Sequence, residues 1–168
     1  MLSQRTRDWI YFGFFAIHLP ATLLVDIQAL FCAEALSPTW LRTPFLFASK
    51  DDPLLQNANS PLFAWFQSFI ILEILLQVPV FVVGMRGLWK NTPTIYPLLL
   101  LYSSSSATTT LACLATVLSL PSIPPAHMTK LLASYTPFFL VPAVMAVDML
   151  GRLSGLVRRA EKGKGKAD

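Results

Sequence analysis

Charge is scarce in this sequence. Only 13% of its 168 residues are Asp, Glu, Lys or Arg, against 54% hydrophobic, and the mean hydropathy is +0.56. So few charges cannot cover a water-soluble domain of this length, and long uncharged runs point to lipid. Nor is there a basic face on a soluble scaffold, which excludes a nucleic-acid role. Cysteine is scarcer still. Cys32 and Cys113 have no metal-ligand spacing and permit at most one disulfide. Cys113 falls inside an apolar run, as a buried free thiol would. Neither a metal nor a cofactor is expected, and no internal repeat is visible.

What the chain has instead is four long apolar stretches: 9–31, 63–85, 94–118 and 131–150. Hydrocarbon about 30 Å thick takes about 20 helical residues to cross. The predicted fold class is therefore an all-α membrane protein, a four-helix bundle occupying 9–150. A long polar loop (32–62), a short one (86–93) and a proline-rich one (119–130) connect the spans. Arg5 and Arg7 before the first span and Ala33-Glu34-Ala35 after it imitate a signal peptide. However, that span is too long for one and contains Asp26, so a retained helix is expected. Residues 1–8 form a short N-terminal segment, and the basic, glycine-bearing segment 151–168 is expected to be disordered.

Orientation follows the basic residues. Four spans put both termini and the short loop on one side, with Arg5, Arg7, Arg86, Lys90, Arg152, Arg158, Arg159, Lys162, Lys164 and Lys166. The other side has only Arg42, Lys50 and Lys130. Both termini should be cytosolic and the long loop lumenal. Lys164 and Lys166 then stand fifth and third from the end, matching a dilysine signal that coat proteins read on the endoplasmic reticulum pathway. A chance match in a basic tail is the alternative.

The spans carry residues that lipid alone would not tolerate. Pro20, Pro79, Pro97, Pro137 and Pro142 put a proline in every span. Each removes a donor and frees a carbonyl, which is acceptable where neighbours or water satisfy it. Helices that bow apart around a space are one reading, simple packing another. His18, Thr22 and Asp26 recur at i, i+4 and i+8, drifting only about 80° round an ideal helix. Phe69, Glu73 and Gln77 make a similar stripe on the second span. Ionisable groups at such depth normally face a bundle interior or a wet cavity. At 1.5 Å per residue Asp26 sits near the lumenal end and Glu73 near mid-membrane, roughly 10 Å apart on ideal helices. Two carboxylates in one dry cavity should not both be charged. Glu73, the deeper, is expected to be neutral and to donate a hydrogen bond to ionised Asp26. Such a pair suits a cationic or hydroxyl-bearing apolar ligand, unless it only ties two helices together. Asp148, one turn before Arg152, reads as an i, i+4 ion pair. The run Ser103–Ser106 with Thr108–Thr110 can return its protons to carbonyls one turn back. Ser103 and Ala107 offer a small-xxx-small contact for helix or protomer packing, so a homodimer is a candidate assembly.

Several of these segments together resemble a known family. His18-Leu19-Pro20-Ala21-Thr22 with Asp26-Ile27-Gln28, then Asp52-Pro53-Leu54-Leu55-Gln56, then Ala64-Trp65-Phe66-Gln67-Ser68-Phe69 with Glu73, Gln77 and Pro79, resemble the sigma-2 receptor family. Those are four-helix EXPERA-domain proteins of the endoplasmic reticulum. Thr92-Pro93, Tyr102, Thr109-Thr110, Tyr135-x-Pro137 and Pro142 extend the match over about 9–150. The resemblance implies that Asp26 pairs with a ligand amine and that Glu73 supports it inside an occluded cavity. It further implies His18, Thr22, Gln77, Thr110, Tyr135 and Phe138 as ligand-binding residues and Asp52 as a structural acid at the lumenal lid. The implied ligands are sterols, oxysterols and lipophilic amines, met in membrane lipid. Family roles lie in sterol trafficking and, in a fungal branch, in quality control of mitochondrial precursors. A related branch, the emopamil-binding sterol isomerases, moves a ring double bond with His-x-x-x-Glu, a second Glu and Asn-x-x-Trp. Here those positions read His18-x-x-x-Thr22, Glu73 and Tyr135-x-x-Phe138. General acid–base work needs both proton-handling groups, so a binding protein without catalytic residues is expected, although Asp148 does match the isomerase branch.

Overall fold

The structure is a computed structural model that describes residues 2–31, 38–121 and 123–164, and among these it contains helices and turns but no strand. Four helices are long and apolar enough to cross a membrane: Gln4–Leu30, Pro61–Trp89, Pro93–Ser119 and Pro125–Gly163, here spans 1 to 4. Spans 2 to 4 contain their expected stretches and overrun them, and span 1 starts earlier than expected and ends one residue short, at Leu30. Span 1 begins before Trp9 because Ser3 caps it, its Oγ accepting the Thr6 N–H at 3.1 Å. Span 4 belongs to α8 (Pro125–Lys164), so the segment expected to be disordered from 151 is helical as far as Lys164. No proline follows Pro142, and Arg158, Arg159, Glu161 and Lys162 are good helix formers that need no core. Lys166 lies outside the described residues.

Spans 1 and 2 are not uniform helices. Span 1 runs as α1 (Gln4–Ala21), a wide π-turn over Thr22–Asp26, and α2 (Ile27–Phe31). The long loop holds α3 (Thr39–Ser49) and α4 (Pro53–Gln56), so it is more ordered than a polar connection would be; Cys32 and its neighbours to residue 37 lie outside the described residues. Span 2 runs as α5 (Ala64–Leu72), a second π-turn over Glu73–Gln77, and α6 (Val78–Trp89). Span 3 is mainly α7 (Tyr96–Ser119). The π-turns close with i→i+5 bonds, Ile27 N–H to the Thr22 carbonyl and Val78 N–H to the Glu73 carbonyl. Pro20 stands two residues before the first π-turn and Pro79 two after the second, where a missing donor already disturbs the ladder. Pro97 differs from this pattern. It occupies the first turn of α7, where no helical partner is lost.

Lipid tails are as apolar as leucine, so packing rather than water exclusion joins the spans. At the end that carries the termini, Tyr11, Phe15, Phe81, Leu99, Tyr102 and Met145 interlock. Phe15 and Phe81 lie 5.5 Å apart, and Tyr102 meets both edge-on at 5.0 and 5.4 Å. Gly84 makes this approach possible, because a Cβ there would lie 2.8 Å from the Phe15 ring. Gly87 does the same against Ile95 at 2.8 Å. A second cluster, around Leu54, Leu55, Phe66, Ile70 and Val117, fills the opposite end beneath α4. Ser103 is fully buried within the bundle and bonds the Leu100 carbonyl at 3.2 Å. Thr108 returns its proton to the Ser104 carbonyl at 2.8 Å, a full turn back.

The termini end also carries a buried ion network. The Asp148–Arg152 pair is present at 2.7 Å, but it is part of a larger assembly. Arg152 also donates to Asp8 at 2.6 Å, Arg7 reaches the second Asp148 oxygen at 2.7 Å, and the Tyr11 hydroxyl donates to Asp148 at 3.1 Å. Arg5 donates to the Leu88 and Trp89 carbonyls at 2.8 and 3.1 Å, and Gln4 to the Tyr96 hydroxyl at 2.9 Å.

Candidate functional site

The two π-turns stand side by side, joined where the Thr22 hydroxyl donates to Glu73 Oε1 at 2.5 Å. Below them the spans part and enclose a cavity of about 320 Å³. His18, Asp26, Glu73, Gln77, Thr110, Tyr135 and Phe138 all line it, so residues from all four spans meet there. Asp52 lines it from the cap of α4, and Phe47, Ala48 and Asp51 come from α3 and the turn that follows. Thr22 does not line the cavity. It is fully buried, and its hydroxyl is spent on Glu73.

The polar end is a connected chain. His18 shares a hydrogen bond with the Tyr102 hydroxyl through Nδ1 at 3.1 Å, and its Nε2 stands 3.5 Å from Glu73 Oε1. Phe138, Phe81 and Phe14 hold the ring, with centroids 4.6, 4.8 and 5.1 Å away. Glu73 therefore answers to Thr22 and His18. The expected bond from Glu73 to Asp26 is not there: among the described residues no hydrogen bond joins the two carboxylates. The wide turn explains it, since it brings Thr22, one turn short of Asp26, against Glu73. Asp26 faces the cavity and has no side-chain hydrogen-bond partner among the described residues. A ligand cation or hydroxyl would find an acceptor there, backed by the apolar surfaces of Val25, Phe66, Ile70 and Phe138.

Asp52 has a different job. Its Oδ1 accepts the Leu54 and Leu55 N–H groups at 2.9 and 3.4 Å, capping α4, and its Oδ2 accepts the Tyr135 hydroxyl at 2.8 Å. Burial pushes its carboxyl above the usual carboxylate range, against the pull of those three donors. Asp51, next to it, sits closer to solvent, and its hydrogen bond from Lys130 at 2.5 Å holds it below that range. Tyr135 is thus a wall residue whose polar end belongs to the lid.

Asp148 is remote from the cavity, locked among Arg7, Tyr11 and Arg152. Sequence reasoning missed α3 and the start of α8 as walls, namely Phe47, Lys130 and Ser134, and also Cys113. The one signal for α3 was its recurring apolar residues, which Pro44 interrupts. Long-range partners carried no signal, whereas Asp52-Pro53 is a readable helix start.

Comparison with known proteins places this architecture. A family model described as EXPERA, the expanded EBP superfamily, matches residues 37–149. The chain is 32% identical to Sigma intracellular receptor 2 of Xenopus tropicalis, covering 98% of this chain and 99% of that one. It is 30% identical to the Homo sapiens protein of the same name over 88% and 89%. It is 27% identical to Efficient mitochondria targeting-associated protein 19 of Schizosaccharomyces pombe over 93% and 81%. The family match spans most of the chain, including α3, α4, spans 2 and 3 and span 4 as far as residue 149. This multi-span membrane protein belongs to the EXPERA family.

Proposed function

We propose that the chain is a binding protein of the endoplasmic reticulum membrane that holds a sterol, an oxysterol or a lipophilic amine in the cavity. The carrying observation is Asp26, a carboxylate that faces the chamber with no hydrogen bond from another side chain among the described residues. A volume of about 320 Å³ falls in the range of small-molecule sites, roughly 300–1,000 Å³. Glu73, held by Thr22 and His18, supplies a second polar group from span 2. The biological role is the one the family resemblance implies, sterol homeostasis or quality control of mitochondrial precursors, and the fungal relative is named for mitochondria targeting. Both termini are cytosolic, and coat proteins read Lys164 and Lys166.

The test is Asp26→Asn, which keeps size and hydrogen bonding but removes charge. An amine against a desolvated carboxylate gains more than the 0–1 kcal/mol of an exposed pair. Cationic lipophilic ligands should lose at least about tenfold in affinity, about 1.4 kcal/mol, and neutral sterols much less. Radioligand and sterol binding on one mutant preparation decide it. Equal losses for both ligand classes would make Asp26 a folding residue, and no loss in either would move the site elsewhere.

An enzyme reading is weaker. The isomerase-like Asp148 is spent on the ion network outside the cavity, and Tyr135 and Phe138 line the wall where an amide and an indole would steady a carbocation. That placement favours binding without chemistry.

A further inference from the structure

Of the side chains that line the cavity, three are also exposed on the outer surface: Phe47 of α3, 69% exposed, and Lys130 and Ser134 near the start of α8. They form one patch. The Lys130 ammonium lies 4.9 Å from the Phe47 ring centroid, and the Ser134 hydroxyl donates to the Lys130 carbonyl at 3.0 Å. Side chains that face a chamber and the outside at once mark an opening. Every other lining residue is buried or half-buried.

A set of ionic contacts crosses that opening. Lys130 Nζ meets Asp51 Oδ2 at 2.5 Å, and His127 Nε2 stands 3.8 Å from the other Asp51 oxygen. Asp51 belongs to the turn between α3 and α4, and Lys130 to α8, so the pair ties the lid to span 4. One turn further along α8, the buried Tyr135–Asp52 bond ties them again. Lys130 and Phe47 can therefore swing aside while the second tie keeps the lid attached. Outside the opening, Trp40 stands seven residues before Phe47 on the same face of α3, and both are exposed. An aromatic face beside four membrane spans suits contact with lipid acyl chains.

We infer that the Phe47–Lys130–Ser134 patch is the portal through which a lipophilic amphiphile reaches the cavity from the membrane, and that the Lys130–Asp51 pair is its latch. This rests on the binding reading above. A latch has a distinctive kinetic signature. It closes the portal with or without ligand inside, so loosening it raises association and dissociation rates together and leaves the ratio unchanged.

The full chain is reconstituted in lipid nanodiscs and mixed with NBD-cholesterol in a stopped-flow fluorimeter. Lys130→Ala should raise both rates by about two- to fivefold, the scale of a half-exposed ion pair, with Kd constant within about twofold. Ser134→Trp, which narrows the opening without touching the latch, should lower both rates by a similar factor. The double exchange Lys130→Asp with Asp51→Lys should return both rates to the wild-type values. Unchanged rates in Lys130→Ala and in Ser134→Trp would place the opening elsewhere. A change in Kd carried by dissociation alone would make Lys130 a ligand contact and end the latch. Absence of saturable binding by the wild-type chain would overturn the binding reading itself, and the portal with it.

Discussion

Replacing Arg152 with methionine should be the most damaging single change outside the cavity. The Arg152 side chain is only 7% exposed and bridges Asp8, 2% exposed, and Asp148, 7% exposed. Methionine fills much of the same volume, so the loss is electrostatic rather than steric. Asp148 would keep Arg7 at 2.7 Å and the Tyr11 hydroxyl at 3.1 Å. Asp8 would be left without the one ion-pair partner the structure gives it among the described residues. Breaking a buried pair from one side costs about 3–5 kcal/mol. With one of the two acids still compensated, the lower end applies, about 3 kcal/mol. For a chain of this size 1 kcal/mol moves Tm by about 2–4 °C, so the drop should be about 6–12 °C. In a Cys32→Ser background the buried Cys113 provides the readout: a thiol-reactive fluorophore reports its exposure on heating. Adding Asp8→Asn should recover more than half of the loss, because the orphaned charge is then gone. A shift below about 2 °C in Arg152→Met, or no recovery in the double variant, would refute the idea that these charges depend on each other.

Gly87→Ala should lower stability by about 1–3 kcal/mol, since its Cβ would press on Ile95, whereas Gly151→Ala, with nothing within 4 Å, should be neutral or slightly stabilising in the same thermal assay. Purified protein given a Δ8 sterol should show no double-bond migration by gas chromatography, and turnover abolished by Glu73→Gln would overturn the non-enzymatic reading. Tags on both termini should be digested by protease added to intact microsomes, and a protected C-terminus would reverse the topology. Replacing Lys164 and Lys166 with serine should let the protein leave the endoplasmic reticulum, as seen by microscopy against later-compartment markers.

The spans were legible because a run of about twenty apolar residues suits little besides a bilayer. Their ends were not. Asp8 and Arg152 look like flanking charges in the sequence, and their pairing across 144 positions exists only once spans 1 and 4 are packed. The Asp26 and Glu73 stripes pointed to a shared chamber, and both residues line it. However, the stripes assumed 3.6 residues per turn throughout. The π-turns break that assumption at Thr22 and Glu73, so the residue that grips Glu73 is Thr22 and not Asp26. The lid helix α3 was hidden by Pro44, which ordinarily ends a helix, and by the polar character of the loop as a whole. Asp52 was placed at the lid by resemblance; its hold on Tyr135 comes from the fold.

The ion network at the termini end has a mechanical consequence. Arg152, Arg7 and Arg5 fasten spans 1, 2 and 4 to one another there, while at the opposite end apolar packing predominates and the polar ties from the lid to span 4 are Asp52–Tyr135 and Asp51–Lys130. The bundle is then a pair of tweezers, with its fulcrum at the charged end and its jaws around the chamber. A helix of 27 residues is a lever about 40 Å long. A rotation of about 1° at the fulcrum moves its tip by about 0.7 Å, so small changes in angle become appreciable changes in jaw width. Stiffness at one end thus sets how far the other can spread without repacking the aromatic core between them.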